Sequence, residues 1–464
     1  MCGVIGVSKI PEAGRLAYLG LYALQHRGQE SAGIVAVDRE GQATVHRGMG
    51  LVSENFPEPV MKHLRGDVAV GHTRYSTAGS TVLANAQPCF ANTRCGALSV
   101  AHNGNLTNAP ELRRELVDQG AIFTSSSDTE CLVHLIARST APTMEGQIRE
   151  ALERAEGAYS LVIGSGREIY AVVDPRGFRP LMLARLGEGV IVASETCAFD
   201  LMGATLIREL QPGEFVRIVE GQVEALAPLP RKTITRCVFE LVYFSRPDST
   251  VFGRSVDAVR REIGRQLAIE HPVPGAQVVF AVPDSSNAMA LGFSEVSGTK
   301  LEYGLIRNHY VGRTFINPTQ AIRVAKVKIK FNPVREVIQG RSVVMVDDSL
   351  VRGTTSKGLV QMVRAAGAKE VHLRLGSPPI TGPCHYGIDT PTREELIGAT
   401  HSVEEIREFL GVDSLGYLSL DGMLNAAGRS TGFCHACFSG QYPTEITEEL
   451  VQLRHAAPLA ATLV

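Results

Sequence analysis

The sequence contains no tryptophan, no surplus of either charge and no long apolar run. The missing tryptophan excludes nothing. The charge balance excludes more: 46 Lys and Arg against 48 Asp and Glu leave a net charge of −2, so there is neither a basic field for nucleic acid nor a polyacidic tail. No apolar stretch is long enough to cross a bilayer. The opening residues Cys2 to Ile10 lack the basic segment of a secretory signal, and Pro11 and Glu12 interrupt them. Internal repeats and low-complexity segments are absent. Neither G-x-x-x-x-G-K-[ST] nor G-x-G-x-x-G after a strand occurs, so ATP-grasping and dinucleotide-binding readings lose ground. Nine cysteines, an odd and scattered set in 464 residues, argue against a disulfide framework and for thiols, catalysis or metal. The expectation is a soluble cytoplasmic protein of two or three domains, with neither membrane nor nucleic acid as partner.

What is present divides in two. Residues 1 to about 230 read as short strands outnumbering helices, with strands near Gly3–Val7, Gly33–Val37, Val68–His72, Ala97–Ala101, Ser160–Gly164, Ile169–Val173 and Val190–Ser194. Helical stretches lie near Arg15–Gln25, Pro110–Gln119 and Thr129–Arg138. This mixture predicts layered sheets covered by helices. Pro228 and Pro230, beside Arg231 and Lys232, mark a linker. From 231 to 464 the rhythm is βαβ. A helix over Ser255–Glu270 precedes apolar strands at Gln277–Val282, Ser342–Val346 and Val371–Leu375, with helices from about Asn287 and Thr354. That order predicts a parallel sheet with helices on both faces.

Cys2 is the most informative residue. With Met1 removed it carries a thiol and a free α-amine, a nucleophile with its own base, because an α-amine of reference pKa about 7.7–8.0 is partly neutral near pH 7. Three polar clusters sit at strand ends in the same half: Gly71 to Thr77, Ala101 to Asn105, and Ser127 to Glu130. An N-terminal cysteine that hydrolyses an amide needs two donors for the oxyanion, and the Asn103 side chain beside the Gly104 N–H supplies such a pair. An amino-acid substrate needs a cation for its carboxylate, for which Arg74 can serve, and a carboxylate for its ammonium, for which Asp128 can serve. Glutamine or asparagine is the implied substrate. Singly these signals are weak: Asn103-Gly104 commonly makes a tight turn, Asp128-Thr129 a helix cap, and Arg74 a surface ion pair.

Together, Cys2-Gly3-Val4-Ile5-Gly6, Leu24-Gln25-His26-Arg27-Gly28, Gly71-His72-Thr73-Arg74, His102-Asn103-Gly104-Asn105 and Ser127-Asp128 resemble the glutaminase domain of N-terminal-nucleophile amidotransferases. The resemblance covers about residues 2–230. It implies an α+β domain of four αββα layers, with glutamine as ammonia donor. It also implies Cys2 as nucleophile, Asn103 and Gly104 as oxyanion hole, Arg74 and Asp128 as the glutamine clamp, and Arg27 as a supporting member of the substrate site.

In the second half, the apolar run Val343–Val346 ends in Asp347 and Asp348, followed by Ser349-Leu350-Val351-Arg352-Gly353-Thr354-Thr355 and a helix. Loop amides, a helix N-terminus and the hydroxyls of Thr354 and Thr355 suit a phosphate. The carboxylates suit ribose hydroxyls or a magnesium ion. The run resembles the phosphoribosylpyrophosphate motif of type I phosphoribosyltransferases, an α/β fold, and brings Arg352 and Gly353 into the substrate loop. By the same resemblance Val282-Pro283-Asp284-Ser285-Ser286-Asn287 is the pyrophosphate loop, with Ser285 a magnesium ligand beside Asp347 and Asp348. Tyr310–Ile316, followed by Lys326, Lys328 and Lys330, resembles the mobile loop over that substrate.

Cys434-His435-Ala436-Cys437 is a C-x-x-C pair, open to a metal, a redox dithiol or two buried thiols. Cys237 and Cys384 could complete a four-thiolate site, and spacing alone does not separate zinc from an iron–sulfur cluster. Cys237-Val238-Phe239-Glu240, Tyr243 to Asp248 and both later cysteine segments resemble the cluster-bearing branch of glutamine phosphoribosylpyrophosphate amidotransferases. That implies a [4Fe–4S] cluster on Cys237, Cys384, Cys434 and Cys437. Cys89, Cys95, Cys131 and Cys197 read as ordinary core thiols. Members of that branch often carry a propeptide before the nucleophile; here Cys2 follows Met1 directly, so trimming by an aminopeptidase is expected.

Over nearly the whole chain the resemblance implies conversion of 5-phosphoribosyl diphosphate, glutamine and water to 5-phosphoribosylamine, glutamate and diphosphate. This is the first committed step of purine synthesis. Mg2+ is expected as a cofactor, purine nucleotides as inhibitors and a homo-oligomer, dimer or tetramer, as the assembly. An enclosed path for ammonia is expected too. Two rivals stand beside it: another amidotransferase such as a hexosamine-phosphate synthase, and a regulator that keeps the phosphoribosyl fold without catalysis.

Overall fold

The structure is a computed structural model that describes residues 1–75, 81–308, 329–428 and 431–455. Thirteen strands are described before residue 226: β1 Gly3–Ser8, β2 Ser31–Val37, β3 Ala43–Met49, β4 Val68–Arg74, β5 Cys89–Thr93, β6 Gly96–Leu106, β7 Gly157–Ser165, β8 Glu168–Val173, β9 Met182–Leu186, β10 Gly189–Ala193, β11 Thr205–Glu209, β12 Phe215–Val219 and β13 Gln222–Ala225. They form a sheet of seven in the order β11-β9-β10-β1-β4-β2-β3 and a sheet of six in the order β13-β12-β8-β7-β6-β5. Val4, Val70, Ala101, Val162, Ile169, Ala171 and Val192 are all buried in one cluster between the two sheets. The outer face of the larger sheet is covered by the helix Ala13–Ala23, whose Ala17 and Leu21 join Ile5 and Ile34 in the core. The smaller sheet is covered by helices Ala109–Asp118, Thr129–Arg138 and Met144–Arg154, which bury Leu116, Ile136 and Leu152 against Leu161 and Val172. Helices thus close both outer faces, giving the four-layer αββα order.

β1 and β4 explain how alternation delivers chemistry to one end. Both strands are buried throughout, and they pair antiparallel with Gly3 opposite Thr73. Cys2, just before β1, therefore lies beside Arg74, the last residue of β4. Full burial on both faces accounts for the near-continuous apolar runs of these strands.

The second half holds a five-stranded parallel sheet in the order Lys300–Leu301, Val278–Ala281, Ser342–Asp347, Glu370–Leu375 and Ser414–Tyr417. Helices Val256–Glu270, Asn287–Ser297 and Thr354–Ala365 lie where the βαβ rhythm predicts them. The hydrophobic core does not stop at the linker. One cluster contains Ile5 and Leu21 from the first half with Val238, Leu241, Val279 and Tyr386 from the second. Among the described residues, no helix is long and apolar enough to cross a membrane.

Candidate active sites

Cys2 comes from the larger sheet and Asn103 from the smaller, so the first site lies where the two sheets meet. The Cys2 N–H donates to Asn103 Oδ1 at 3.2 Å, and the Cys2 thiol lies 3.7 Å from the Tyr75 carbonyl oxygen. Asn103 sits inside β6 rather than in a turn. Its oxygen is engaged while its Nδ2, fully buried, has no hydrogen-bond partner among the described residues. A buried amide donor without an acceptor is costly, about 1–3 kcal/mol, and is the kind of group an oxyanion satisfies. Gly104 follows at φ +156°, and a Cβ there would stand 2.0 Å from the Ala158 carbonyl oxygen, so only glycine fits.

Arg74 is buried and pairs with Glu30 at 3.4 Å. Asp128 precedes the helix Thr129–Arg138, but its side chain makes no cap bond; Oδ2 instead accepts the Leu106 N–H at 2.9 Å. It therefore faces the end of the strand that carries Asn103 and Gly104. Ser76 and Thr77, beyond Tyr75, lie outside the described residues.

Arg27 has a different place from its neighbours. Its Nε donates to the Cys2 carbonyl oxygen at 2.9 Å, and its remaining nitrogens are engaged by Glu195 and by Glu240 at 2.8 and 3.0 Å. All three side chains are wholly buried. Arg27 thus buttresses the nucleophile, with four of its five N–H donors spent on Cys2, Glu195 and Glu240. Burial opposes the Glu195 charge, but His26 and Arg27 outweigh it and hold this carboxyl well below the usual range.

The second site lies at the carboxyl ends of two adjacent parallel strands, Val278–Ala281 and Ser342–Asp347, where open α/β sheets bind ligands. Ser285 Oγ donates to Asp348 Oδ1 at 2.6 Å and Ser286 Oγ to Asp347 Oδ1 at 3.2 Å. The two loops named from sequence therefore meet. Burial first, then repulsion from Asp348, raises the Asp347 carboxyl well above its ordinary value. Burial also raises Asp348, against hydrogen bonds from Ser285 and Ser349 and the charge of Arg260. Two crowded carboxylates with a serine hydroxyl fit Mg2+, which takes one or two carboxylates and completes its shell with water and phosphate oxygens. Gly353 caps the helix Thr354–Ala365, and Thr354 and Thr355 are exposed at its first turn. Arg352 is exposed and pairs with Glu395 at 3.2 Å. Lys326, Lys328 and Tyr310–Ile316 lie outside the described residues.

Three separate segments bring the four cysteines together. Cys237 and Cys434 are opposite each other in a short parallel ladder. The N–H groups of Thr381 and Gly382 donate to the Cys437 carbonyl oxygen, drawing the Cys384 loop alongside. Cys237, Cys384, Cys434 and Cys437 line one cavity with Phe178, Tyr386, Ile388 and Tyr442. Among the described residues no three His, Cys, Asp or Glu side chains converge as a single-ion site. Of the remaining cysteines, Cys89, Cys131 and Cys197 are buried as expected; Cys95 is exposed, because it lies in the turn between β5 and β6.

Sequence reasoning missed Glu195, Glu240 and Arg179, the other members of the buried charge cluster around Arg27. Arg179 donates to Glu240 at 3.3 Å and to the Tyr386 carbonyl oxygen at 2.7 Å.

A glutamine amidotransferase domain model matches residues 72–200. Amidophosphoribosyltransferase 1, chloroplastic, from Arabidopsis thaliana is 52% identical over 453 residues, 97% of this chain and 80% of the relative. Amidophosphoribosyltransferase from Bacillus subtilis is 48% identical over 456 residues, 97% of this chain and 95% of the relative. The chain belongs to the amidophosphoribosyltransferase family. The solved glutamine phosphoribosylpyrophosphate amidotransferase from B. subtilis, complexed with ADP and GMP, superposes with a TM-score of 0.92 at 47% identity, covering 98% of this chain and 100% of that one. A structure described as the allosteric regulatory enzyme of purine biosynthesis matches equally, with a TM-score of 0.92 at 48% identity and 98% coverage of both chains. Coverage of both halves removes the rival that shared only the first, and supports the two-part fold of a glutaminase domain followed by a phosphoribosyltransferase domain.

Proposed function

We propose that this chain is a glutamine-dependent enzyme of purine biosynthesis that converts 5-phosphoribosyl diphosphate, glutamine and water to 5-phosphoribosylamine, glutamate and diphosphate. The observation that carries the reading is the unpartnered Asn103 amide held against Cys2. Once Met1 is lost, the Cys2 amine occupies the nitrogen that Asn103 Oδ1 already accepts from. Burial pushes the Met1 amine down to about 6 in the same pocket, the direction that keeps a neighbouring amine neutral and able to take the thiol proton. Sγ attacks the amide carbon of glutamine while Asn103 Nδ2 and the Gly104 N–H receive the oxyanion. Ammonia leaves, and water releases glutamate from the thioester. Arg74 and Asp128 hold the α-carboxylate and α-ammonium.

In the second half, ammonia attacks C1 of the ribose as diphosphate departs. Asp347, Asp348 and Ser285 would hold Mg2+, which when bound offsets charge on the leaving oxygens. Arg352, Gly353, Thr354, Thr355, Lys326 and Lys328 are assigned to the phosphates. Cys237, Cys384, Cys434 and Cys437 are assigned to a [4Fe–4S] cluster of structural or regulatory role, placing the chain in the cluster-bearing branch. We place the division between the halves at 230/231. Purine nucleotides are the proposed inhibitors, since the B. subtilis relative was solved with ADP and GMP. Exposed Leu206 and Ile207 on the edge strand β11, with exposed Leu201 in the helix Cys197–Met202 before it, support a homo-oligomer. The odd, scattered set of nine cysteines supports a reducing compartment, the cytoplasm. Ammonia is protonated in water at pH 7, so its path between the sites is enclosed, and labelled external ammonium should stay out of the product during glutamine-driven turnover.

The test is diphosphate release by wild type and Cys2→Ala, driven by glutamine or by ammonia. The variant should lose the first and keep the second. Equal loss of both would defeat the division of labour.

A further inference from the structure

Glu240 belongs to the second half, three residues after Cys237, yet its carboxylate reaches the nucleophile's support in the first. Its Oε1 accepts from Arg27 Nη2 at 2.8 Å and from Arg179 Nη1 at 3.3 Å. Its Oε2 accepts from Arg27 Nη1 at 3.0 Å and from Ser245 Oγ at 3.0 Å. Glu240, Arg27 and Arg179 are each fully buried. The carboxylate therefore holds two guanidinium groups, each of which bonds a different main-chain carbonyl. Arg27 leads to the Cys2 carbonyl oxygen at 2.9 Å. Arg179 leads to the Tyr386 carbonyl oxygen, and the Tyr386 N–H in turn donates to Cys384 Sγ at 3.4 Å.

The backbone that presents Glu240 is itself unusual. Residues Glu240–Phe244 form a π-helical turn, a rare element that concentrates at functional sites. Arg260, also buried, fixes this turn by donating to the carbonyl oxygens of Leu241 at 2.9 Å and Ser245 at 2.8 Å. The turn is thus anchored from the second half, and its first residue projects into the first.

We infer that Glu240 is a positioning residue for Cys2, acting through Arg27, and that Arg179 extends the same contact to the loop bearing Cys384. The inference rests on Cys2 being the nucleophile. Two guanidinium groups without the shared carboxylate would repel each other, and Arg27 is the group that fixes the Cys2 main chain. Displacements of about 1 Å at a reacting group cost on the order of 100-fold in rate.

The experiment uses the full-length, cluster-loaded protein with Glu240→Gln, Arg179→Lys and Ser245→Ala. Glu240→Gln should lower glutamine-driven kcat by about 10- to 100-fold, with KM for glutamine within about twofold and ammonia-driven synthesis unchanged. Alkylation of Cys2 by an electrophilic glutamine analogue, followed by mass spectrometry, should slow by a similar factor. Arg179→Lys should shift the alkylation rate in the same direction by a smaller factor. Should Glu240→Gln not fold, Ser245→Ala decides: it removes one donor to the same carboxylate and should lower glutamine-driven kcat severalfold. Wild-type kcat and alkylation rate in the variants that fold overturn the inference, and so does a parallel fall of glutamine- and ammonia-driven rates, which marks a merely structural role. Cys2→Ala separates the two failures. If it retains glutamine-driven turnover, the nucleophile assignment is wrong; if it loses turnover while Glu240→Gln does not, only the positioning role is.

Discussion

Two pairs of acidic side chains lie inside this molecule, and their surroundings differ in one respect. Glu195 and Glu240 are wholly buried, and arginines of the same chain bracket them. Asp347 and Asp348 sit side by side at a strand end, hydrogen-bonded to three serines, with their carboxyls raised by burial. The first pair is balanced from within. The second has hydroxyl donors in contact and a more distant charge, Arg260. The difference lies in the cation: the chain supplies guanidinium groups to the first pair and serine hydroxyls to the second, which is why Mg2+ is assigned to the second.

Substitution should separate the pairs. Glu195→Gln removes the partner of a buried arginine and should destabilise the fold by about 3–5 kcal/mol in denaturant unfolding, the cost of stranding a buried charge. An unchanged midpoint would mean that Arg27 is adequately held by Glu240 alone. Asp347→Asn should do the reverse. It relieves repulsion while keeping an oxygen for the Asp348 N–H and Ser286 Oγ, so stability should hold or rise. Diphosphate release with either nitrogen donor should fall by about 10²–10³-fold. Added Mg2+ should raise the Tm of wild type but not of this variant; an equal rise in both would move the cation elsewhere.

The smallest expected effect is on acid stability. The folded-state carboxyl of Glu195 is depressed below its unfolded value of about 4.3, so its contribution is present above that pH and is lost as pH falls below it. Below about pH 4, wild type should lose up to about 1.4 kcal/mol per pH unit more than Glu195→Gln does. Parallel slopes would show that Glu195 titrates normally.

The sequence made one of these pairs legible and hid the other. Asp347 and Asp348 follow an unbroken apolar strand and precede a Gly/Thr loop, a local pattern whose chemistry can be read directly. The same holds for Cys2, and for Asn103 and Gly104 at the end of an apolar run. Glu195 and Glu240 carry no such signal. In the sequence Glu240 stands out only as a neighbour of Cys237, and its partner Arg27 is 213 residues away. Contacts between segments that distant leave no periodicity. The helix Met144–Arg154 is faint in the sequence for another reason: its apolar face is thin, with Ile148, Ala151 and Leu152 as the buried aliphatic residues. Asp128 shows the limit of local rules, since its position predicts a cap and its side chain instead reaches the Leu106 N–H.

One contact bears on how such a protein could be recombined. Gly387, in the Cys384 loop, has φ +103°, and a Cβ there would stand 2.9 Å from the backbone of Gly104; beside it, Asn105 Nδ2 donates to the His385 carbonyl oxygen at 2.9 Å. The oxyanion strand of one half and the cysteine loop of the other touch backbone to backbone, with no side chain between them to absorb a misfit. A chimera joined at the proline-rich linker would have to rebuild the Arg27–Glu240 contact as well as this seam, which closes only if the incoming cysteine loop keeps glycine at 387.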